Sequence, residues 1–304
     1  MAIVNQNNQP GLPTERSDDR FANIDQLSIS ELVILMNQVD SEVAGAVALQ
    51  SGAIAAAISE ISKRYLEGGR IIYVGAGTSG RIATLDASEI FPTFGVHGRV
   101  LAVMAGGPDA LINPSEGAED NEAAGEADLA KLEVQPNDSV IGIASSGSTP
   151  YVLSALNHAN HAGALTVGIS CNDDSEVGSA ASLKIEIVVG PELLAGSTRL
   201  KAGTAQKMVL NMISTITMVQ AGKTYGNYMV DVVASNKKLK ARALKMLQAI
   251  TGASAAVAEQ SLEAHDWNVK SSAIGIHLGL NPKDAAALLE RSGGVLARAL
   301  GERS

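Results

Sequence analysis

Short apolar runs recur at residues 70–74, 99–104, 139–144, 164–169 and 184–189, and helical patterns lie among them after Thr78, near 118–132, after Thr149 and across 201–221. The runs read as strands buried on both faces. Upstream, Val43, Val47, Ile54, Ile58 and Ile61 keep helical spacing, which predicts one long helix from Ser41 to Leu66 that Gly68-Gly69 stops before the first strand. Strands alternating with helices predict an α/β fold, a parallel, doubly wound sheet. After Asn236 the strand signal vanishes. Lys237-Lys238-Leu239-Lys240 opens a charged helix, and 253–301 holds short helical segments punctuated by Thr251-Gly252, Asn281-Pro282 and Gly293-Gly294. The expected division is an amino-terminal arm and first helix over 1–40, an α/β domain over 41–240 and a small helical module over 241–304. Residues 1–25 are polar and turn-rich, an arm expected to pack late or to bind a partner subunit, and to be poorly ordered alone.

Two of the runs break into loops of Gly, Ser and Thr: Arg70-Ile-Ile-Tyr-Val-Gly-Ala-Gly-Thr-Ser-Gly80 and Ser139-Val-Ile-Gly-Ile-Ala-Ser-Ser-Gly-Ser-Thr-Pro150. Each loop should sit between a strand's carboxyl end and a helix's amino end. Unpaired N–H groups, hydroxyls and the helix dipole favour a phosphate there, and glycine lets the backbone come close. Two such loops suggest one phosphorylated small molecule held from two sides. Gly75, Gly77 and Gly80 also spell the dinucleotide pattern, but that site needs an acid about 20 residues on, and the next strand ends Val-Met-Ala-Gly-Gly. The second loop decides for a sugar phosphate. Ser145, Ser146, Ser148 and Thr149 place four hydroxyls in five positions, more than a helix cap needs.

Composition narrows the partners. The chain of 304 residues is 46% hydrophobic but 3% aromatic, so its core is built of Ala, Val, Ile and Leu. A net charge of −9 and the lack of a long basic run make nucleic acid and anionic membranes poor partners. No stretch approaches the roughly 18 apolar residues of a membrane span. The start lacks the basic and apolar regions of a secretion signal. A single cysteine, Cys171, excludes an internal disulfide framework and is consistent with a cytoplasmic protein.

The run Gly75-Ala-Gly-Thr-Ser-Gly-Arg-Ile-Ala-Thr-Leu-Asp-Ala-Ser-Glu89, then Pro92-Thr-Phe-Gly95, closely resembles the N-acetylmuramic acid 6-phosphate etherases of the sugar isomerase (SIS) superfamily. Further matches are Ala105-Gly-Gly107, Glu116-Gly-Ala-Glu-Asp120, Gly142-Ile-Ala-Ser-Ser-Gly147, Thr166 to Asn172, Gly196 to Lys207 and Gly226 to Val233. The resemblance extends from about Thr14 to the carboxyl end. It implies a homodimer, a three-layer parallel sheet flanked by helices, and a carboxyl-terminal module similar to ubiquitin-associated (UBA) domains. It also implies cleavage of the lactyl ether to N-acetylglucosamine 6-phosphate and D-lactate, in recycling of cell-wall sugar, without cofactor or metal. Glu89 matches the family's catalytic proton donor and Glu119 its second catalytic carboxylate. Ser79, Ser145, Ser146 and Thr149 match phosphate-holding positions; Thr78, Arg199 and Lys201 are further candidates for the substrate.

The chemistry suits carboxylates. An open-chain aldose acidifies its C2 proton, the C3 ether leaves by elimination, and water adds back; both halves are proton transfers, open to carboxylates whose pKa burial raises. Each assignment has a plainer competitor. Glu89 could be a solvated cap partner at a helix start, and Glu116, Glu119, Asp120 and Glu122 a charged face or, less readily, a divalent-ion site. His158 and His161, at i and i+3, read as solvent-facing. The alternatives to an etherase are a sugar-phosphate isomerase and a non-catalytic sugar-phosphate sensor resembling glucokinase regulatory protein, since the fold alone serves all three.

Overall fold

The computed structural model describes residues 11–302. These fall into two compact units, one comprising the chain up to Ala87 with Gly98–Ile213, the other Ser88–His97 with the chain from Ser214 on. In the first unit β1 (Ile71–Gly75), β2 (Val100–Met104), β3 (Ser139–Ile143), β4 (Leu165–Ser170) and β5 (Leu183–Glu186) form one parallel sheet in the order β2-β1-β3-β4-β5. All five lie within a few residues of the apolar runs.

Successive strand residues point to opposite faces. Ile72, Val74 and Val140 turn toward α5 (Pro150–His161), packing with its Val152, Ala155 and Leu156 in one core. Tyr73, one residue out of phase, turns the other way and donates to Asp86 of α3 (Gly77–Phe94) at 3.0 Å. Helices therefore cover both faces, the three-layer SIS arrangement. α4 (Glu122–Ala130) and α6 (Glu176–Ala180) complete the layer with α5, while α7 (Lys201–Gln220) follows β5. At the amino ends of the strands Arg70 pairs with the buried Asp138 at 2.6 Å and also donates to the Leu132 and Glu133 carbonyls. Burial alone would raise the Asp138 carboxyl, but hydrogen bonds from Arg70 and from the Gln135 N–H outweigh it and hold the group below the ordinary aspartate range.

Two readings of the amino-terminal region change. The single helix from Ser41 is two, α1 (Ile29–Leu49) and α2 (Ser51–Leu66), with a break at Gln50. α1 begins earlier because Ser28 and Glu31 form a reciprocal capping box. α1 is also long and apolar enough, by length and composition, to cross a membrane, contrary to the expectation of no such stretch. Its polar residues interrupt the apolar ones, and Glu42 pairs with Arg20 at 3.0 Å. The arm, finally, is tied to its own chain from Gly11 on: buried Thr14 donates its N–H to Asn172 at 3.2 Å. The first ten residues of the arm lie outside the described residues.

The second unit is helical. α8 (Lys237–Thr251), α9 (Ala255–Ala264), α10 (Val269–Leu278), α11 (Pro282–Arg291) and α12 (Leu296–Ala299) enclose a core of Val230, Leu247, Leu262, Ile274 and Leu296. Lys270 crosses this core. Its ammonium donates to the carbonyls of Gly222 at 2.9 Å and Gly294 at 2.6 Å and to Asp231 at 2.6 Å. All three ammonium protons are thus satisfied, which a buried charge requires.

Candidate active site

The chain passes from β1 out to β2 and then back across β1 to β3, so the sheet reverses direction between β1 and β3. Open α/β sheets bind ligands outside the carboxyl ends of the strands at such a reversal. Both candidate loops are there, because Gly75 ends β1 in register with Ile143 at the end of β3. The first loop is pulled tight against its strand. A Cβ on Gly80 would meet the Gly75 carbonyl at 2.8 Å and Met104 at 2.9 Å, so α3 can start this close to the sheet only without one.

A residue that the sequence reading left without a role joins the loops. Gln206, on α7 and fully buried, accepts a hydrogen bond from Ser79 Oγ at 2.9 Å and donates from Nε2 to Ser145 Oγ at 2.9 Å. Ser79 is 5% exposed and spends its hydroxyl proton on Gln206. Ser145 Oγ accepts, and its own proton has no protein acceptor among the described residues. Ser146 Oγ accepts from the Ser148 N–H and hydroxyl, both at 3.3 Å. Thr149 is the N-cap of α5 but makes no side-chain cap bond, and Pro150 follows as first helical residue. Its hydroxyl, half-buried, is left for other use. Asn172 clamps the loop from behind, donating to the Ser145 carbonyl at 3.0 Å and the Ser146 carbonyl at 3.1 Å. Gly147 turns it with φ +80, where a Cβ would strike Ser175. The result is a set of hydroxyls at a helix amino end, chemistry that suits an oxyanion.

Glu119 sits on a 3₁₀ turn, Ala118–Asp120, and with Glu116, Arg81 and the first loop's Ala76 and Gly77 it lines a cavity of about 230 Å³. Arg81, in the same lining, donates to the Ala110 carbonyl at 2.8 Å and that of Leu111 at 3.1 Å. Thr78 packs beside Gly203 of α7. Glu89 belongs to the second unit. It lies inside α3, not at a helix start, and α3 runs on through Pro92. The burial expected of the acid–base pair is absent from the single chain, in which Glu89 and Glu119 are both exposed.

Arg199 is exposed in the loop before α7. Lys201 is buried, its ammonium donating to the Val189 carbonyl at 2.6 Å with Glu42 at 3.7 Å. Burial lowers its pKa from the ordinary lysine value, against the opposing pull of Glu42 and Glu192. Glu192 itself caps α7, accepting from the Lys201 and Ala202 N–H groups, both at 2.9 Å. That helix end already holds an anion. Cys171 is buried, and burial with Glu192 nearby pushes its thiol up to about 12, which makes it a poor nucleophile. Among the described residues no group of three or more His, Cys, Asp or Glu is placed to hold a metal ion.

Comparison with known proteins agrees with this architecture. Residues 53–160 match the glucokinase regulatory protein N-terminal SIS domain, 115–216 the SIS domain, and 243–273 a UBA-like domain. An N-acetylmuramic acid 6-phosphate etherase of Streptomyces avermitilis is 51% identical over 95% of this chain and 93% of its own. The chain belongs to the N-acetylmuramic acid 6-phosphate etherase family. Etherases of Rubrobacter xylanophilus, 50% identical over 96% of both chains, and of Rhodopirellula baltica, 48% over 98% of both, are similar along nearly their whole lengths. Among solved structures, a phosphoheptose isomerase from Neisseria gonorrhoeae superposes with a TM-score of 0.49 at 14% identity, over 63% of this chain and all of that one.

Proposed function

We propose that the chain is an etherase acting on N-acetylmuramic acid 6-phosphate, releasing D-lactate and N-acetylglucosamine 6-phosphate. The observation that carries this reading is the Gln206 bridge, which draws two hydroxyl-bearing loops of the etherase motifs into one cradle at the sheet's reversal, with Glu119 on a cavity beside it. In this reading Ser145, Ser146 and Thr149 donate to the 6-phosphate and Ser79 supports them through Gln206. The C2 proton of the open-chain sugar is removed, the C3–oxygen bond breaks, and an unsaturated aldehyde forms. Glu89 gives a proton to the departing lactate oxygen. Water then adds its oxygen at C3 as a proton returns to C2, with Glu119 serving the C2 proton or the incoming water.

The proposed setting is the cytoplasm, in recycling of cell-wall amino sugar, with two subunits acting together. α1 leaves Ile29 82% and Val33 63% exposed one turn apart, an apolar stripe that a second copy would cover. Turnover in heavy-oxygen water tests the chemistry. Label should enter C3 of the amino sugar and not lactate, and deuterium from the solvent should appear at C2. Label in lactate would overturn the elimination route. Glu89→Gln should lower kcat by about 10²-fold or more while substrate still binds; near-normal turnover would remove Glu89 from the chemistry.

A further inference from the structure

The second unit contains a polar cavity of about 530 Å³ that the proposed reaction does not use. Lys223, Lys240 and Trp267 line it, with residues 230–235. Three ammonium groups, Lys223, Lys240 and the Lys270 that pairs with Asp231, stand against two carboxylates, Asp231 and Asp266. Asp231, the acid on the same wall, is already shared between Lys270 at 2.6 Å and Lys223 at 3.2 Å, and Asp266, also in the lining, is exposed to solvent. Lys240, exposed as Asp266 is, has no carboxylate partner among the described residues; its ammonium stands 4.4 Å from the centre of the Trp267 ring. Such a contact is weaker than a charge pair, so an anion entering the cavity competes well for that ammonium. The N–H groups of Val233 and Ala234, in the wall, have no protein acceptor among the described residues. Asp266 and Trp267 hold consecutive left-handed conformations, φ +51 and +60, which few non-glycine residues adopt and which set the indole against the cavity.

We propose that this cavity is a second anion site, which takes a phosphate monoester of monosaccharide size with its phosphate on Lys240 and Lys223 and its sugar beside Trp267. The volume exceeds what a bare phosphate fills, and the Lys240 ammonium and the Val233 and Ala234 N–H groups supply donors to an anion, with Lys223 beside them sharing Asp231 with Lys270. The site is independent of the strand-end loops.

Trp267 is the single tryptophan of the chain, so its emission reports on this cavity alone. The full chain is titrated with glucose 6-phosphate and with inorganic phosphate at constant ionic strength, and calorimetry in the Thr149→Ala background, where the loop cradle is weakened, reads the same binding without the fluorophore. A saturable change in Trp267 emission is expected, tighter for the sugar phosphate. Lys240→Gln should weaken it at least about tenfold by calorimetry, the worth of one charge-assisted hydrogen bond. Thr149→Ala, which alters the loop cradle, should leave the Trp267 response unchanged. The proposal fails if sodium chloride at equal ionic strength gives the same emission change, if neither probe saturates, if Lys240→Gln binds as the parent does, or if Thr149→Ala abolishes the signal.

Discussion

Replacing Gln206 separates a residue that positions the cradle from one that only fills space. Gln206→Leu keeps nearly the same volume but removes both 2.9 Å hydrogen bonds, leaving the Ser79 hydroxyl, 5% exposed, without its acceptor. A buried polar group stranded in this way costs about 1–3 kcal/mol. Ser145 is half-buried and can turn to water, so it adds little. For a chain of this size each kcal/mol lowers the melting temperature by about 2–4 °C. With the loops no longer tied, KM for the phosphorylated substrate should rise about tenfold, one hydrogen bond's worth. Gln206→Glu gives the opposite pattern. It keeps an acceptor for Ser79, so the melting temperature falls less, but it loses the donor to Ser145 and sets a carboxylate under an anionic ligand, so KM rises more. D-lactate release at varied substrate and scanning calorimetry read both quantities. Parent-like KM and melting temperature in Gln206→Leu, or a Gln206→Glu enzyme whose KM matches the parent, would refute the positioning role.

Asp138, whose folded pKa lies below its unfolded value of about 3.9, contributes stability that is full above that value and lost as pH falls through the lower folded one. Asp138→Asn should therefore cost about 3 kcal/mol at pH 7, leaving Arg70 unpaired, and flatten the acid limb of the melting profile; an unchanged limb would count against the pair. Lys270→Met removes the donor to three acceptors and should destabilise the helical unit by about 2–4 kcal/mol, followed through Trp267 emission, and parent-like unfolding would show the lysine to be dispensable. Cys171, buried and with its thiol pushed up to about 12, should resist iodoacetamide at pH 8 until the chain unfolds; rapid labelling of the folded protein would contradict its placement.

The strands were legible because a strand buried on both faces leaves an unbroken apolar run, and Gly68-Gly69 before β1 and the glycines after it mark the ends. The helix boundaries near residue 50 were harder to see. Gln50 departs only modestly from helical geometry, φ −96 and ψ 8, and the Ser51-Gly52 that follows it is weak punctuation inside an alanine-rich run. The start of α1 did carry a signal, Ser28 three residues before Glu31, but the run of apolar and polar residues after it has no clean face. α1 leaves Ile29, Val33 and Ile34 exposed, so its hydrophobic positions do not follow the core of its own chain.

The site divides along the same line between local and long-range information. Four hydroxyls in five positions can be read as a loop, because the loop's chemistry is local in sequence. The Ser79–Gln206–Ser145 bridge joins residues 127 and 61 apart, and a glutamine inside a helix is ordinarily unremarkable. One trace was available: Gln206 falls on the buried stripe of Ala202, Ala205, Val209 and Ile213, where a polar side chain needs partners. The carboxylates show the limit of the same logic. Their motifs single out Glu89 and Glu119, yet both are exposed in the single chain, so exclusion of water from them has to come from the substrate or from a second subunit. The proposed acid–base roles thus depend on an enclosure that the single chain does not supply, and in the proposed function the bound substrate and a second subunit provide it.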